Sequence, residues 1–375
     1  MLKTRGGACY KALIVPAVKL IPVSTLKKLV ALVRQGATVV FVEHYPEDVP
    51  GYASLEQNRK QLFALLKQLP GEKSFRGTQA FNFGKGRIIV GSDYHETLER
   101  TGVPAEELKT RWGVQFIRRT HTEGHHYFIS DLQANDVEGW VTLNVPEKHI
   151  MCFDPMTGKR GIAKTREVEG KTQVYMQLKS GESIILQTFT RSLQGVPEWK
   201  YRKEMDYSLS LDHGWKLRFV ESYPAIEGEF KIDTPSSWTE VAHPAAKINR
   251  GTALYSLELD LPELSADDWI LDLGDVRESA RVRINGQEAG IAWAAPFRLS
   301  IGQLLKSGKN LIEVEVTNLP ANSIAEMDRQ GKQWRIFEDI NMAKLNYEKG
   351  TYGHWETLPS GLNGIVRLIP VKYLF

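Results

Sequence analysis

Apolar and polar positions alternate most regularly over residues 280–284, where Ala280, Val282 and Ile284 fall on one side and Arg281 and Arg283 on the other. A period of two marks a half-buried strand. Asn285-Gly286 follows at once, and both residues tolerate the positive φ of a two-residue primed turn, so the chain is expected to double back over residues 287–291. We read the whole stretch from Trp269 to Trp293 as a sheet hairpin. Similar alternation over 215–219, 255–261 and 311–316 adds strands, and together these predict a jelly-roll over residues 194–375.

The texture upstream differs. Residues 11–15 form a short apolar run, and Ser24 is expected to cap a helix whose Leu26, Leu29, Val30 and Val33 recur at helical spacing before Gly36 stops it. Residues 38–42 read as a buried strand, 55–69 as a second amphipathic helix ending at Pro70, and 87–90 as a strand after the Gly84-Lys85-Gly86 turn. Short helices fill 94–111. This βαβ order predicts a parallel sheet over residues 1–113, with only three strands evident. Residues 114–193 then show alternating segments at 127–129, 139–143, 173–178 and 183–188, the pattern of an antiparallel β-sandwich. The expected architecture is therefore multidomain, α/β plus all-β.

Composition narrows the function classes. The 375 residues are 42% hydrophobic and 25% charged, ordinary for globular domains, and length alone suggests two or three of them. Lys+Arg 48 against Asp+Glu 45 leaves a net charge of +3, so nothing in the bulk charge argues for nucleic acid or a membrane surface. No run of 18 or more apolar residues occurs, so no membrane insertion is expected. Cys9 and Cys152 stand far apart without metal-ligand spacing and read as plain thiols. Cys9 precedes the first strand and so does not occupy a nucleophile elbow, while the loop Pro16-Ala-Val-Lys-Leu-Ile-Pro22 lacks phosphate-cradling residues. The α/β segment therefore reads as structural.

Several motifs carry a resemblance. Leu273-Gly-Asp-Val-Arg-Glu-Ser-Ala-Arg-Val-Arg-Ile-Asn-Gly286, followed by Trp293 and Pro296-Phe-Arg298, resembles the sugar-binding jelly-roll of glycoside hydrolase family 2. Val316-Thr-Asn-Leu-Pro-Ala-Asn-Ser-Ile324, Asp328-Arg-Gln-Gly331, Trp334-Arg-Ile-Phe337, Asp339-Ile-Asn341 and Leu358-Pro-Ser-Gly-Leu362 are similar to the C-terminal end of the α-L-rhamnosidases of glycoside hydrolase family 106. Tyr127-Phe128 and Phe153-Asp-Pro-Met-Thr-Gly158 fit that family's middle β domain. The resemblance implies an amidotransferase-like α/β domain without amidotransferase chemistry, then a β-sandwich, then a galactose-binding-like jelly-roll. It also implies that catalytic carboxylates and any calcium belong to a (β/α)₈ barrel lying N-terminal to these segments. Such a barrel takes about 250 residues, so this chain is expected to lack it and to be an accessory, fragment-like part of a glycoside hydrolase whose parent is periplasmic or secreted. The alternative is a stand-alone carbohydrate-binding or structural protein.

Candidate chemistry follows from sugar recognition, which pairs an aromatic face for the C–H side of the ring with Asp, Glu, Asn or Arg for the hydroxyls. Trp293, Trp334 and Trp355 lie in loop-like sequence near Asp275, Glu278, Arg335, Asp339 and Asn341, and these are the expected contacts to a plant or bacterial polysaccharide or glycoside. Trp215, Trp238 and Trp269 read as core. The loop Arg118-Arg-Thr-His-Thr-Glu-Gly-His-His126 is implied by the resemblance to lean toward the barrel, with Arg118, Arg119 or His121 facing substrate. Its three histidines suggest a metal, but His125 and His126 are adjacent and would point to opposite sides of a strand, so a solvated hairpin is expected there rather than a metal site. Glycosidic cleavage needs two carboxyls about 5 to 10 Å apart, and sequence adjacency selects no such pair among 45 acidic residues. No catalytic residue, no cofactor in this chain and no particular oligomeric state are expected.

Overall fold

The computed structural model describes residues 2–71, 77–103, 105–262, 265–336 and 350–375. It is β-rich, with several separate sheets, and divides into two compact units, Met1–Glu107 and Leu108–Phe375.

In the first unit the strands Ala12–Val15, Thr38–Val42 and Gly86–Gly91 run parallel, as the βαβ order predicts. The helices Val23–Arg34 and Leu55–Leu66 lay Leu26, Leu29, Val30, Val33 and Leu62 against Val39, Phe41, Ile88 and Val90. These positions are nearly all below 7% exposed, and each such side chain contributes about 1.5–3 kcal/mol on leaving water. Two expectations need correction. Pro22, not Ser24, occupies the N-cap, and no side chain caps this helix. A fourth strand, Gln79–Phe83, pairs antiparallel with Gly86–Gly91. It escapes a search for apolar runs because an edge strand buries little, and none of its five residues is fully buried. Gly86 sits so close to the preceding connection that a Cβ there would lie 2.2 Å from the Ala37 carbonyl oxygen. A glycine is therefore required at that crossing.

The second unit holds two sheet pairs. One sheet has the order Arg160–Ile162, His149–Phe153, Ser183–Phe189, Gly124–Ser130, Gln115–His121; the facing sheet is Thr165–Val168, Lys171–Leu178, Val137–Leu143. Tyr127, Ile129, Ile150, Cys152 and Leu186 from the first meet Val141, Leu143, Val174 and Met176 from the second in one core. Leu108, from the helix Glu107–Trp112, and Val114 also lie in that core. Residues 118–126 form the two arms of a hairpin joining Gln115–His121 to Gly124–Ser130, as the solvated-hairpin reading expects.

The remaining strands form a six-stranded sheet and a facing five-stranded one. The six-stranded sheet runs Glu229–Ile232, Trp215–Tyr223, Arg250–Leu261, Gly308–Thr317, Ser279–Ile284, Gln287–Ala292. The other runs Tyr201–Glu204, Arg367–Leu374, Asp268–Asp272, Arg298–Ser300, with Leu209–Ser210 also pairing Arg367–Leu374. Leu217, Tyr255, Val282, Ile312 and Val314 interlock with Leu271, Leu299 and Leu368 between them, and Trp215, Trp238 and Trp269 are buried in the same core. The hairpin forms with Asn285 at φ 54° and Gly286 at φ 79°, as a primed turn demands. Its upstream limit needs correction, because Asp268–Asp272 pairs with Arg298–Ser300 and Arg367–Leu374 in the opposite sheet. The stretch from Trp269 to Trp293 thus crosses the core and contributes to both sheets.

Candidate functional site

The C-terminal tryptophans converge through a helix. After the strand Gly308–Thr317, Asn318 accepts from the Gly251 amide at 3.0 Å and donates to the Asn249 carbonyl at 3.0 Å and Ser360 Oγ at 3.1 Å, fixing the turn into the helix Ala321–Arg329. Asn322 then clamps the returning chain, donating to the Leu358 carbonyl and accepting from the Leu358 amide, both at 2.8 Å. Arg329 donates to the carbonyls of Gly353 at 2.9 Å and Trp355 at 2.7 Å. These bonds bring residues 350–358 alongside the helix.

At its end lies an aromatic cluster. Asp328 Oδ1 accepts from the Trp334 indole at 2.6 Å and its Oδ2 from the Tyr352 amide at 2.5 Å. The indole bond, helped by that amide, holds the Asp328 carboxyl below the usual range. Tyr352 sits 5.8 Å from the Trp334 ring and 4.6 Å from the Trp355 ring, centroid to centroid. The Arg335 guanidinium lies 5.1 Å from the Trp334 ring and 5.3 Å from the Tyr352 ring, within cation–π range, and also donates to the Gly350 carbonyl. Trp334 and Tyr352 are half-buried, whereas Trp355 is 39% exposed.

Of the expected contacts, then, Trp334, Trp355 and Arg335 come together. Asp339 and Asn341 lie outside the described residues. Asp275 pairs with Arg277 at 2.7 Å, and the Glu278 amide donates to the Thr317 carbonyl at 2.8 Å; among the described residues neither side chain bonds to the rings. Trp293 is 61% exposed at the end of Gln287–Ala292 and makes no ring contact or hydrogen bond with the cluster among the described residues. Tyr352 was not singled out from the sequence, and Asp328 entered there only as the head of the motif Asp328-Arg-Gln-Gly331, not as a contact. Tyr352 stands three residues before Trp355, and that spacing was the available signal.

Arg118, Arg119 and His121 lie on the edge strand Gln115–His121, far along the sequence and on another sheet. Arg119 pairs across the strands with His126, and the His121 ring lies 4.4 Å from that of His126. His121 Nδ1 accepts from the Glu123 amide at 3.2 Å, so its Nε2 carries the proton and donates to the Thr188 carbonyl at 3.1 Å. Burial, with His121 alongside, lowers the pKa of His126. His125 turns the other way, its Nδ1 3.3 Å from the buried Glu147 carboxylate. The two adjacent histidines therefore occupy opposite faces, and among the described residues no cluster of three or more His, Cys, Asp or Glu has metal-binding geometry. On the His126 face a row runs Ile117, Phe128, Ile185, Phe153 across four strands, with Ile117 64% and Phe128 43% exposed.

The α-L-rhamnosidase family of glycoside hydrolases, number 106, matches residues 1–165. A rhamnosidase from Novosphingobium sp. PP1Y superposes on 97% of the chain with a TM-score of 0.70 and 25% identity. The chain is thus similar, in its first 165 residues by sequence and over nearly its whole length by fold, to α-L-rhamnosidases. A Formosa agariphila protein provisionally named β-glucuronidase is 30% identical over 185 residues, 44% of this chain. The chain spans 34% of the Novosphingobium protein and 16% of the Formosa one. No described helix is long and apolar enough to cross a membrane.

Proposed function

We propose that this chain is an accessory, non-catalytic region of an α-L-rhamnosidase-like glycoside hydrolase, bracing a (β/α)₈ catalytic barrel and offering its C-terminal aromatic cluster to carbohydrate. In this reading the first unit is an amidotransferase-like α/β domain, the middle strands a β-sandwich, and the last pair of sheets a galactose-binding-like jelly-roll. One observation carries the reading: the likeness to the Novosphingobium rhamnosidase takes in 97% of this chain yet only 34% of that protein. The exposed Ile117–Phe128 row supports the bracing role, since such a strip loses little by being covered. Trp355, Trp334 and Arg335, with a bonded carboxylate behind them, supply the flat apolar face and the donor that a pyranose needs.

The test is hydrolysis of aryl α-L-rhamnosides by the purified chain, with no turnover expected. Measurable turnover abolished by one Asp or Glu substitution would overturn the reading. The aromatic cluster also favours a second reading, a stand-alone carbohydrate-binding protein. A sugar-dependent change in tryptophan emission that disappears in Trp355→Ala supports contact at the cluster, and silence across a panel of neutral and acidic glycans leaves bracing as the sole role.

A further inference from the structure

The geometry points to a second, separate site: we propose that a groove on the outer face of the six-stranded sheet binds a neutral carbohydrate. It does not rest on the accessory reading. The groove encloses about 290 Å³ and is lined by Val220, Glu221, Thr252, Ser279, Arg281, Ile291, Glu315 and Thr317. Strand pairing assembles it from five strands. Glu221 faces Thr252, Thr252 faces Thr317, and Thr317 faces Ser279; one step along, Glu315 faces Arg281 and Arg281 faces Ile291. The intervening residues Ala253, Ala280, Val282, Val314 and Val316 are fully buried in the core, so alternation holds the groove residues outward on a rigid floor.

A β-bulge completes it. Register slips between Phe219 and Glu221, leaving Val220 unpaired. Phe219 remains in the core, while Val220 is 47% exposed and the following Glu221 is exposed as well. Bulges re-aim side chains in this way. Val220 and Ile291, the latter 43% exposed, give two aliphatic contacts on opposite banks of a hydroxyl row. Trp293 stands at the end of that row, because Ala292 pairs with Ala280 and the next position leaves the sheet beside Ser279.

The polar groups are only partly committed. Thr252 and Thr317 hydroxyls are 2.8 Å apart, one donating to the other, which leaves a second hydroxyl proton free. Glu315 is held by Arg283 at 2.7 Å. Glu221, Ser279 and Arg281 have no side-chain hydrogen bond or ion pair among the described residues. The lining carries two carboxylates, Glu221 and Glu315, against one guanidinium, Arg281, and the neighbouring Arg283 is held by Glu315 and faces Glu313 and Glu288, so nothing in the groove favours an anion such as phosphate or a uronate. Aliphatic banks, a hydroxyl row and one uncommitted donor–acceptor pair match the faces and vicinal diols of a neutral pyranoside.

The test uses the full chain with ¹³C-labelled isoleucine methyls, the Ile291 signal being assigned through Ile291→Val. Methyl α-L-rhamnopyranoside, methyl β-D-galactopyranoside and xylohexaose serve as neutral probes, glucuronate and inorganic phosphate as anionic ones. A saturable shift of Ile291 with at least one neutral probe is expected, weakened about tenfold or more by Thr317→Val and by Arg281→Gln. Trp355→Ala is expected to leave that shift unchanged. The proposal is overturned by no shift with any neutral probe at the solubility limit, by shifts with the anions alone, by titrations that neither Thr317→Val nor Arg281→Gln weakens, or by loss of the shift in Trp355→Ala.

Discussion

Replacing Asn285 tests how the primed turn holds the six-stranded sheet. Its φ of 54° lies in the left-handed region, which costs an ordinary L-residue about 1–2 kcal/mol and a glycine almost nothing. Its side chain also donates to the Leu304 carbonyl and Asn310 Oδ1, both at 2.9 Å, and accepts from the Leu311 amide at 3.0 Å. Asn310 Oδ1 keeps a second donor, the Lys306 amide, so it is not orphaned. Three bonds at about 0.5–1.5 kcal/mol each give about 1.5–4.5 kcal/mol, lost in both Asn285→Ala and Asn285→Gly. Alanine adds the backbone term, while glycine adds about 0.4–1 kcal/mol of unfolded-state entropy. Asn285→Ala is therefore expected to destabilise by about 2.5–6.5 kcal/mol, and Asn285→Gly by about 0.5–1 kcal/mol less. Urea unfolding followed by tryptophan emission isolates the relevant unit, because all nine tryptophans lie at residue 112 or beyond. Alanine no worse than glycine would refute the backbone argument, and both variants within about 0.5 kcal/mol of the parent would refute the bonding one.

Two further outcomes follow from other residues. Arg298, 19% exposed, donates to Asp272 at 2.8 Å and Glu204 at 2.9 Å, and Glu204 also pairs with Lys179 at 3.0 Å, linking the two sheet pairs. Arg298→Met is expected to cost about 1–3 kcal/mol, with a coupling to Glu204→Gln of about 0.5–1.5 kcal/mol in a double-mutant cycle by urea unfolding; zero coupling refutes the link. The Asp328 carboxyl has a folded pKa below its unfolded value, so its contribution is full above about pH 4 and fades as pH falls through the lower folded value. An acid-induced change in Trp334 emission below about pH 4 should disappear in Asp328→Asn, and an identical titration in that variant refutes the assignment.

What could be seen in the sequence followed burial. Strands with one face in the core, such as Lys171–Leu178 and Ser279–Ile284, alternate and were found. Gln79–Phe83 was missed, and Gln115–His121 was seen only as part of a solvated hairpin without bounds, because edge strands bury too little to impose a pattern. The division of residues 269–293 between two sheets was hidden for another reason: Asp268–Asp272 has four buried positions out of five, and a continuous apolar run does not say which sheet it joins. At the aromatic cluster, tryptophans in irregular sequence could be flagged by type. Asp328 could not, since its importance comes from two donors six and 24 residues further on.

The carboxyls around that cluster bear on what it can do. A general acid for glycosidic cleavage needs a carboxyl pushed upward, toward neutrality, by an apolar or like-charged setting. Asp328 and Glu326 move the opposite way. The Trp334 indole bond lowers Asp328, while bonds from Gln330 and then Arg329 lower Glu326. Asp275 is committed to Arg277 at 2.7 Å. Among the described carboxyls with a resolved shift, Glu182 alone is raised, by burial, and its side chain closes its own turn by accepting from the Lys179 amide at 2.8 Å. Asp328 and Glu326 are thus kept ionised and, like Asp275, turned toward a donor of this chain. In the proposed reading such groups orient rings and loops beside an aromatic surface that is offered to a sugar.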